Sequence, residues 1–580
     1  MHISPVRVSG LPAWALVAGA LTFPCTPAVE AGIIVVPNTW TVGTGGGPPC
    51  DFSNVDDAVN AAASGETIRV NNDISWFTAV GLQIANKSLT LEGGYSDCAD
   101  DTPDPDQPSS IGSVGFSTML TVSNAIAGVP TVLIRHITLH NGDGGATKGG
   151  TIDLSGGVLL RLDNVDVQDG RADYGGGIRI HGGPPIATLR LEGGTRIGGV
   201  APFVVHNNAF QQGGGIYCDG SGVIEWVDAS ITFNTALHGG GIFMNGCSLT
   251  MPEAAGADFR VVEIRGNQAL GSGGGIYGSN NASLSMNSST NRQVRIDGNQ
   301  ADVDGGGIFL SVATLDADGV QIEENEAGNY GGGLYLSQSS AGLDRGNPSG
   351  ADCPTRERCA TLSRNLAGVH GAAAYLIGGT QLDLRQVFVE SNAAVNMPGM
   401  LVTGASTLVL RDVQFAGNAG LAGAELIFAS DSTLELRHVS SAFNTVARSI
   451  RTIGGSNVTI HDSILWQAEG TTTLGGDGTA VLDLSCNSAS ENATLPGAAT
   501  HSPGFLDGDA LTLPLPVLQL AADSANVDAC DDAPAPNPAF DAVGSPRVVD
   551  ATDVADQAGP LDRGALEYQP PIFIDGFEDK

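Results

Sequence analysis

Two groups of aspartates are the residues whose type and spacing best suit acid–base or metal chemistry. Paired carboxylates act as general acids and bases on glycosidic bonds, and clustered carboxylate oxygens bind Ca²⁺. Neither group has the ordered motifs of polysaccharide lyases or hydrolases, and aspartates beside glycines commonly hydrogen-bond their own backbone in turns. We therefore expect turn-forming carboxylates and no catalytic residue. Calcium stays open as a weakly bound stabilising ion, and no metal ligand is assigned. The first group is Asp163, Asp166, Asp169 and Asp173, near Arg161 and Arg171; the second is Asp302, Asp304, Asp316 and Asp318.

Six aromatic residues form a second candidate site, this time for binding. Each stands between two positions that are almost wholly apolar, directly after a glycine-rich phrase such as Gly305-Gly-Gly-Ile308. Strand alternation places such a residue on the opposite face from the flanking aliphatic residues. We therefore expect an outward column of rings, with Arg179 at the same position, that contacts sugar rings or a protein strand. The alternative is that aromatics simply suit strands and are covered by insertions at 248–262 and 279–293. The column comprises Tyr217, Phe243, Tyr277, Phe309, Tyr335 and Tyr375.

Histidines give no further site. They are scattered singly at predicted turns, and the chain has no His-Glu-x-x-His motif or other metal-ligand spacing. Asp531 and Asp532 lie outside the repeats. The histidines in question are His140, His206, His238, His370 and His438.

Cysteines indicate an oxidising compartment. The first 31 residues combine Arg7 with an apolar stretch from Leu11 to Phe23 and small residues, a pattern typical of a secretory signal peptide. Its removal takes Cys25 away and leaves an even number of cysteines, for which we expect disulfides. We expect Cys50 with Cys98, Cys353 with Cys359, and Cys486 with Cys530. Cys218 with Cys247 is the least secure pair, because 29 residues exceed one repeat by three.

The elements that position these residues are repeats of 26 or 27 residues. Glycine triplets recur from residue 175 to 333 and decay to Gly371-Ala-Ala-Ala374, and an apolar residue precedes an asparagine by three places in step with them. A fixed period of this size indicates a solenoid. The glycines permit tight turns with positive φ, and we expect the asparagines to hydrogen-bond along the stack. These asparagines are Asn207, Asn234, Asn267, Asn299, Asn325, Asn365, Asn392, Asn418 and Asn444.

Each repeat contains three short strand-like pieces, as in Gly-Ile-Phe-Leu310, Ala-Thr-Leu-Asp316 and Gly-Val-Gln-Ile322. Three strands per turn predict an all-β, single-stranded parallel β-helix whose coils lie about 4.8 Å apart. The preference of parallel crossovers predicts the right hand. Val55, Ala58, Val59 and Ala62 fit one face of a short helix that caps the N-terminal end, with Gly65 as its C-cap.

Several segments resemble known families. Gly65-Glu-Thr-Ile-Arg-Val70 and Leu89-Thr-Leu-Glu-Gly-Gly-Tyr95 resemble the entry of pectate-lyase-like right-handed β-helix proteins, and the paired repeat signals resemble those of bacterial polymorphic outer membrane proteins. Leu520 to Ala529 and Leu561 to Tyr568 are similar to the closing domain of choice-of-anchor proteins. Ile572-Phe-Ile-Asp-Gly-Phe-Glu578 resembles a tail of exported Gram-negative proteins. The resemblance implies a β-helix fold and export. Polymorphic outer membrane proteins end in a translocator barrel, which this sequence lacks, so we expect a helper secretion system.

The predicted organisation is a signal peptide (1–31), a lead-in with the helical cap (32–66), the β-helix (67–475), an irregular C-terminal closing domain (476–568) and a tail (569–580). A net charge of −36 disfavours nucleic acid and anionic membranes as partners. No apolar run after the signal peptide is long enough for a membrane span. We expect a monomer at the outer surface of a Gram-negative bacterium or released from it.

The favoured function is non-catalytic surface interaction or adhesion, with an extracellular glycan or a cell-surface protein as partner. One alternative is a lyase or hydrolase of acidic polysaccharide; another is a structural envelope component. The feature that separates the enzyme from the others is convergence of carboxylates from neighbouring coils with an Arg or Lys in a groove.

Overall fold

The computed structural model describes residues 39–43, 50–72, 75–199, 206–253, 258–345, 359–466, 472–489, 495–505 and several short pieces between 518 and 566. The signal peptide, the tail, Cys353 and the Asp531-Asp532 pair lie outside the described residues. Almost every element is a strand paired in parallel with the equivalent strand one coil away. The chain is a parallel β-helix, as its sequence predicts; the right hand stays a prediction.

Each regular coil contributes to four parallel ladders. The first, which we call the triplet ladder, starts directly after the glycine triplets. Its strands are Leu82–Ala85, Leu120–Asn124, Ile152–Gly156, Ile178–His181, Ile216–Asp219, Ile242–Asn245, Ile276–Ser279, Ile308–Ser311, Leu334–Ser337, Ala374–Ile377, Met400–Thr403, Glu425–Ser430, Arg448–Ile453 and Thr472–Gly476.

The second and third ladders follow in each coil. Two long strands, Thr131–His140 and Leu159–Gln168, belong to both, because each bends at a residue with positive φ, His136 or Asn164. The other strands of the second ladder are Thr39–Val42, Glu66–Asn71, Leu89–Tyr95, Thr188–Glu192, Val223–Trp226, Ser248–Thr250, Ser283–Asn287, Thr314–Asp318, Ser340–Asp344, Gln381–Arg385, Thr407–Arg411, Thr433–Arg437, Asn457–His461 and Val481–Ser485. Those of the third are Ser75–Thr78, Ser109–Ser113, Thr195–Gly198, Ala229–Thr232, Arg260–Arg265, Arg292–Asp297, Gln321–Glu323, Ala360–Ser363, Val387–Glu390, Gln414–Ala416, Ser440–Ala442, Ile464–Leu465, Ser488–Ala489 and Ala499–Thr500.

The fourth ladder is a correction to the expected three strands per coil. A short strand, often of only two residues, follows each ladder asparagine from Asn207 to Asn418, and so small an element carries no periodic signal. Parallel pairing also begins before residue 67, at Thr39–Val42, and continues beyond residue 475. The strands of the fourth ladder are Asp143–Gly145, Arg171–Tyr174, Asn208–Gln212, Thr235–Ala236, Gln268–Ala269, Gln300–Ala301, Glu326–Ala327, Leu366–Ala367, Ala393–Ala394 and Ala419–Gly420.

The asparagines form the predicted ladder. From Asn207 to Asn444, each Nδ2 donates to Oδ1 of the next asparagine at 2.8–3.1 Å. The second Nδ2 hydrogen goes to a main-chain carbonyl, as from Asn267 to Ile231 at 2.8 Å. In addition, Oδ1 accepts the preceding asparagine's backbone N–H, as from Asn234 to Asn267 at 2.9 Å. These amides are buried with every donor and acceptor used, which removes the cost of burying them.

The glycine triplets have two separate physical roles. Gly305 has φ of +67°, which an L side chain rarely adopts. Gly306 has ordinary φ, but a Cβ there would lie 2.4 Å from the carbonyl oxygen of Glu326 in the next coil. The first glycine is therefore needed for the turn and the second for close stacking.

The N-terminal helix is Val55–Ala61, with Asn54 as N-cap and Val55, Ala58 and Val59 packed into the core. Its C-cap is Ala62 and not Gly65, which takes φ of +92° in the turn before the next strand. The ammonium of Lys87 donates to the carbonyls of Val59 and Ala62 at 2.6 and 2.7 Å. A cation thus satisfies the carbonyls that a glycine cap would otherwise serve.

Three disulfides lie wholly within the described residues: Cys50–Cys98, Cys218–Cys247 and Cys486–Cys530. Cys359 is also disulfide-bonded. The pair with the least secure spacing, Cys218 with Cys247, forms with a Cα–Cα distance of 6.2 Å inside the core. Cys218 lies in the strand Ile216–Asp219, which pairs with Ile242–Asn245 of the next coil. Cys247 lies in the turn after that second strand, and this turn accommodates the three extra residues.

The described part of the C-terminal segment is irregular and packs against the outer face of the third ladder. Leu518 donates its backbone N–H to Gln414, and Ala565 donates to Ser440, at 2.8 and 2.9 Å. Phe505, Leu518 and Leu520 form a small apolar cluster with Ile464 of the solenoid.

Candidate functional site

The six aromatic residues lie in one column of the triplet ladder, in strict register from Tyr217 to Tyr375. The aliphatic residues that precede them, such as Ile276 and Ile308, are fully buried in the main core cluster, which includes none of the six rings. The rings therefore point away from the core, as alternation predicts. Tyr217 and Phe243 are 8% and 5% exposed, and the other four are half-buried. We call this set the aromatic column.

Neighbouring rings of the aromatic column stack face to face. Ring centroids from Tyr217 to Tyr375 are 5.6, 4.8, 4.6, 4.6 and 5.1 Å apart, with interplanar angles of 8–14°. The spacing follows the separation of the coils. The ring faces are consequently occupied by one another, and the column offers a partner its ring edges and tyrosine hydroxyls.

One flank of the column is packed by the residues that precede the glycine triplets. Tyr174 contacts Tyr217 at 5.1 Å, His238 contacts Tyr277 at 5.5 Å, and Tyr330 stacks on Tyr375 at 4.9 Å between ring centroids. The described parts of the insertions at 248–262 and 279–293 meet elsewhere, at the corner between the second and third ladders. There Arg292 donates to the carbonyls of Met251 and Pro252.

At the register position of the aromatic column, an arginine lies on each side of a run of uncharged residues. Beyond Tyr375 the same column continues with Leu401, Phe428 and Arg451, and it is preceded by Arg179. The guanidinium of Arg179 lies 6.0 Å from the ring centroid of Tyr217, and that of Arg451 lies 5.7 Å from that of Phe428. Between these arginines no member of the column is charged.

Burial governs ionisation around the column. It raises the pKa of Tyr217 and of Tyr335 to about 12, so both phenols are neutral hydrogen-bonding groups at ordinary pH. Burial also lowers the pKa of His238, whose Nδ1 accepts the backbone N–H of Ser272 at 3.1 Å. The column is therefore uncharged on a protein of net charge −36.

The first aspartate group does not converge. The bend at Asn164 places Asp163 in the second ladder and Asp166 in the third. Asp163 pairs with Arg135 at 3.2 Å, and Asp166 pairs with Arg196 at 3.1 Å. These two carboxylates neutralise arginines of adjacent coils.

The second group divides in the same way. Asp304 lies beside the aromatic column, where it accepts the backbone N–H of Tyr330 at 3.2 Å, whereas Asp316 and Asp318 lie on the second ladder. Asp344 of the next coil pairs in register with Asp318 and joins them. Burial, with the adjacent carboxylates, raises the pKa of Asp318 to about 6. Two carboxylates thus do meet on neighbouring coils, in a pair that sequence spacing did not reveal.

The described residues contain one group with metal-ligand atoms close together, Asp462 with Cys486 and Cys530, but those thiols form a disulfide. His140 accepts or donates a hydrogen bond with Ser110 at 2.9 Å, and burial lowers its pKa. In the part of the chain that the structure describes, no helix is long and apolar enough to cross a membrane.

A cleft of about 430 Å³ opens on the outer face of the third ladder, and sequence reasoning missed it. Arg196, Ser230 and Glu263 pair in register along its floor, so a small residue lies between two long ones. Arg265 and Phe233 line the sides. The available signal was Phe233 itself, which occupies the position before a ladder asparagine where the next two coils have Gly266 and Gly298.

No family model matches this chain, and no curated protein matches it either.

Proposed function

We propose that this protein acts by surface interaction or adhesion without chemistry of its own, and that the aromatic column is its contact surface. The observation that carries the proposal is an uncharged stack of six rings outside the core, four of them half-buried and reachable by a partner, on a strongly acidic molecule. The rings themselves present no charge to a partner, whereas most of the remaining surface repels acidic partners.

The stacking defines how contact occurs. Because ring faces are occupied, a partner binds across ring edges and phenolic hydroxyls, in a line parallel to the solenoid axis. An extended glycan or an extended segment of a cell-surface protein fits such a line. The stack also limits the side-chain entropy lost on binding, since the rings are already ordered.

The resemblance to pectate-lyase-like β-helices, polymorphic outer membrane protein repeats and choice-of-anchor domains supports export, with the mature chain outside a Gram-negative cell. The disulfides are consistent with an oxidising compartment. We propose no cofactor, with calcium at the acidic turns as the one ion to test.

The test compares the wild type with Tyr277→Ala/Phe309→Ala in glycan-array and whole-cell binding assays. We expect the double variant to lose most binding, while a control that removes exposed rings elsewhere, Phe116→Ala/Phe210→Ala, keeps it. Phe116 and Phe210 are 98% and 68% exposed. Equal binding by both double variants would refute the aromatic column as the contact surface. Binding to neither glycans nor cells would favour a structural envelope component.

The enzyme alternative rests on one observation, the Asp318–Asp344 pair of carboxylates on adjacent coils with a raised pKa at Asp318. Incubation with polygalacturonate, alginate and neutral glycans should release neither reducing ends nor unsaturated uronides. Turnover that Asp318→Asn, Asp166→Ala or Asp304→Ala abolishes would establish the enzyme and overturn the non-catalytic proposal.

A further inference from the structure

The cleft beside Phe233 contains a strained aromatic residue. Phe233 has φ of +53°, a region that bulky residues rarely occupy. Its ring lies over Gly266 of the next coil, where an added Cβ would be 2.4 Å from a ring carbon. The same position has positive φ in other coils, as at Gly266, Glu324 and Phe443, so this backbone conformation belongs to the repeat. The feature particular to this coil is the ring.

A second phenylalanine at the equivalent position shows how such a ring packs when another segment of the chain covers it. Phe443 also has positive φ and precedes a ladder asparagine. It packs against the apolar cluster of the C-terminal segment, with its ring centroid 6.3 Å from that of Phe505. Phe233 has no ring partner among the described residues and lines an open cleft.

The polar groups around Phe233 offer both donors and acceptors. Arg196 is held by Asp166 through Nε and Nη2, at 3.1 and 3.2 Å, and among the described residues no hydrogen bond uses its Nη1. Arg265 lies 3.4 Å from Asp297 and 3.9 Å from Glu263. Ser230 adds a hydroxyl between them, which both donates and accepts.

The cleft has no excess positive charge that would select an anion. Its two arginines face three carboxylates, those of Asp166, Glu263 and Asp297. A ligand that satisfies guanidinium donors and a carboxylate acceptor at once carries hydroxyl groups, and the phenyl ring requires an apolar C–H face. A sugar ring has both. The volume lies within the range of about 300–1,000 Å³ typical of ligand sites.

We propose that this cleft binds an uncharged sugar ring, with Phe233 against its C–H face and with Arg196, Ser230, Glu263 and Arg265 hydrogen-bonded to its hydroxyls. The site is on a different face from the aromatic column and does not rest on the function proposed for it.

The test is calorimetric titration of the full mature protein with maltotriose, chitotriose and mannotriose, and with galacturonic acid trimer and sulfate as anionic comparisons. Phe233→Gly is the decisive variant, because glycine relieves the positive φ and is the native residue at this position in the next coil. We expect at least one neutral trisaccharide to bind, a loss of about tenfold or more in affinity with Phe233→Gly, and a melting temperature that does not fall. Glu263→Gln should also weaken binding.

Two control variants show whether a loss of affinity belongs to this cleft. Glu324→Gly makes the same kind of change before the ladder asparagine of another coil and should leave affinity unchanged. Phe116→Ala removes a 98% exposed ring outside both sites and should also leave it unchanged. The aromatic column is tested separately by the array and whole-cell assays, so its failure and failure of the cleft are distinguishable. Absence of binding to every neutral trisaccharide, preference for the anions, or equal affinity in Phe233→Gly would each overturn the proposal.

Discussion

The outer faces of the triplet ladder and of the second ladder are built by the same coils but differ in chemistry. In the triplet ladder, similar rings lie in register and stack on one another. In the second ladder, Arg135 lies in register between Glu92 and Asp163 and pairs with both. Further along that ladder, Asp318 lies beside Asp344 and the pKa of Asp318 rises. Parallel register thus brings each residue against its counterpart, so the choice of residue type decides between stacking, ion pairing and repulsion.

The largest expected effect tests whether the rings are surface groups. Ile276→Ala/Ile308→Ala should lower the free energy of unfolding by about 4–10 kcal/mol, because each substitution opens a core cavity. Tyr277→Ala/Phe309→Ala should cost about 2–4 kcal/mol, since it removes three stacking contacts between half-buried rings. Denaturant unfolding measures both. If substitution of the two rings destabilises the protein more than substitution of the two isoleucines, the rings are core residues and not surface groups.

A smaller effect tests the repulsion at Asp318. A carboxyl whose pKa is raised in the folded protein favours folding below the unfolded pKa of about 4, and this contribution is lost as pH rises through about 6. Asp318→Asn should therefore raise the melting temperature at pH 7.5 and leave it nearly unchanged at pH 3.5. Asp302→Asn, at an exposed position, serves as control. Destabilisation by Asp318→Asn at pH 7.5 would mean that the carboxylate is stabilised by a bound cation, which calcium addition then tests.

The smallest effect tests the ion pairs. Arg135→Met should cost about 0.2–1 kcal/mol per pair at low ionic strength, because the pairs are partly exposed. Unfolding in 1 M NaCl should reduce this cost, while the cost of Tyr277→Ala/Phe309→Ala should stay the same. Equal salt dependence of the two variants would show that charge, and not ring packing, governs the triplet face.

The sequence predicted the repeated features that have a clear residue pattern, and it missed features that occupy too few residues or depend on a single coil. The asparagine ladder, the glycine turns and the outward rings follow from residues that recur with one period. The short strand after each asparagine was missed because two residues show no alternation. The aspartate groups look compact in sequence, but Asp163 and Asp166 flank a bend and face different ladders.

The cleft beside Phe233 was missed for a different reason. Unequal insertions make the offset between Asn207, Asn234 and Asn267 27 and then 33 residues, so the alignment of Ser230 between Arg196 and Glu263 is not readable from spacing. The stacking of ring faces was also out of reach, because alternation gives the direction of a side chain and not its rotamer.

The asparagine ladder has a consequence for how such a molecule changes length. From Asn234 to Asn418 every asparagine makes the same two bonds to the next one, so any of them can follow any other. Removal of residues 299–324 would join Gly298 to Asn325 and let Asn267 bond to Asn325 as it now bonds to Asn299. The shortened molecule would lose one ring, Phe309, and place Tyr277 beside Tyr335. The length of the solenoid and the length of the aromatic column would thus change together, one coil at a time. The hydrogen bonds between neighbouring coils would stay of the same kind.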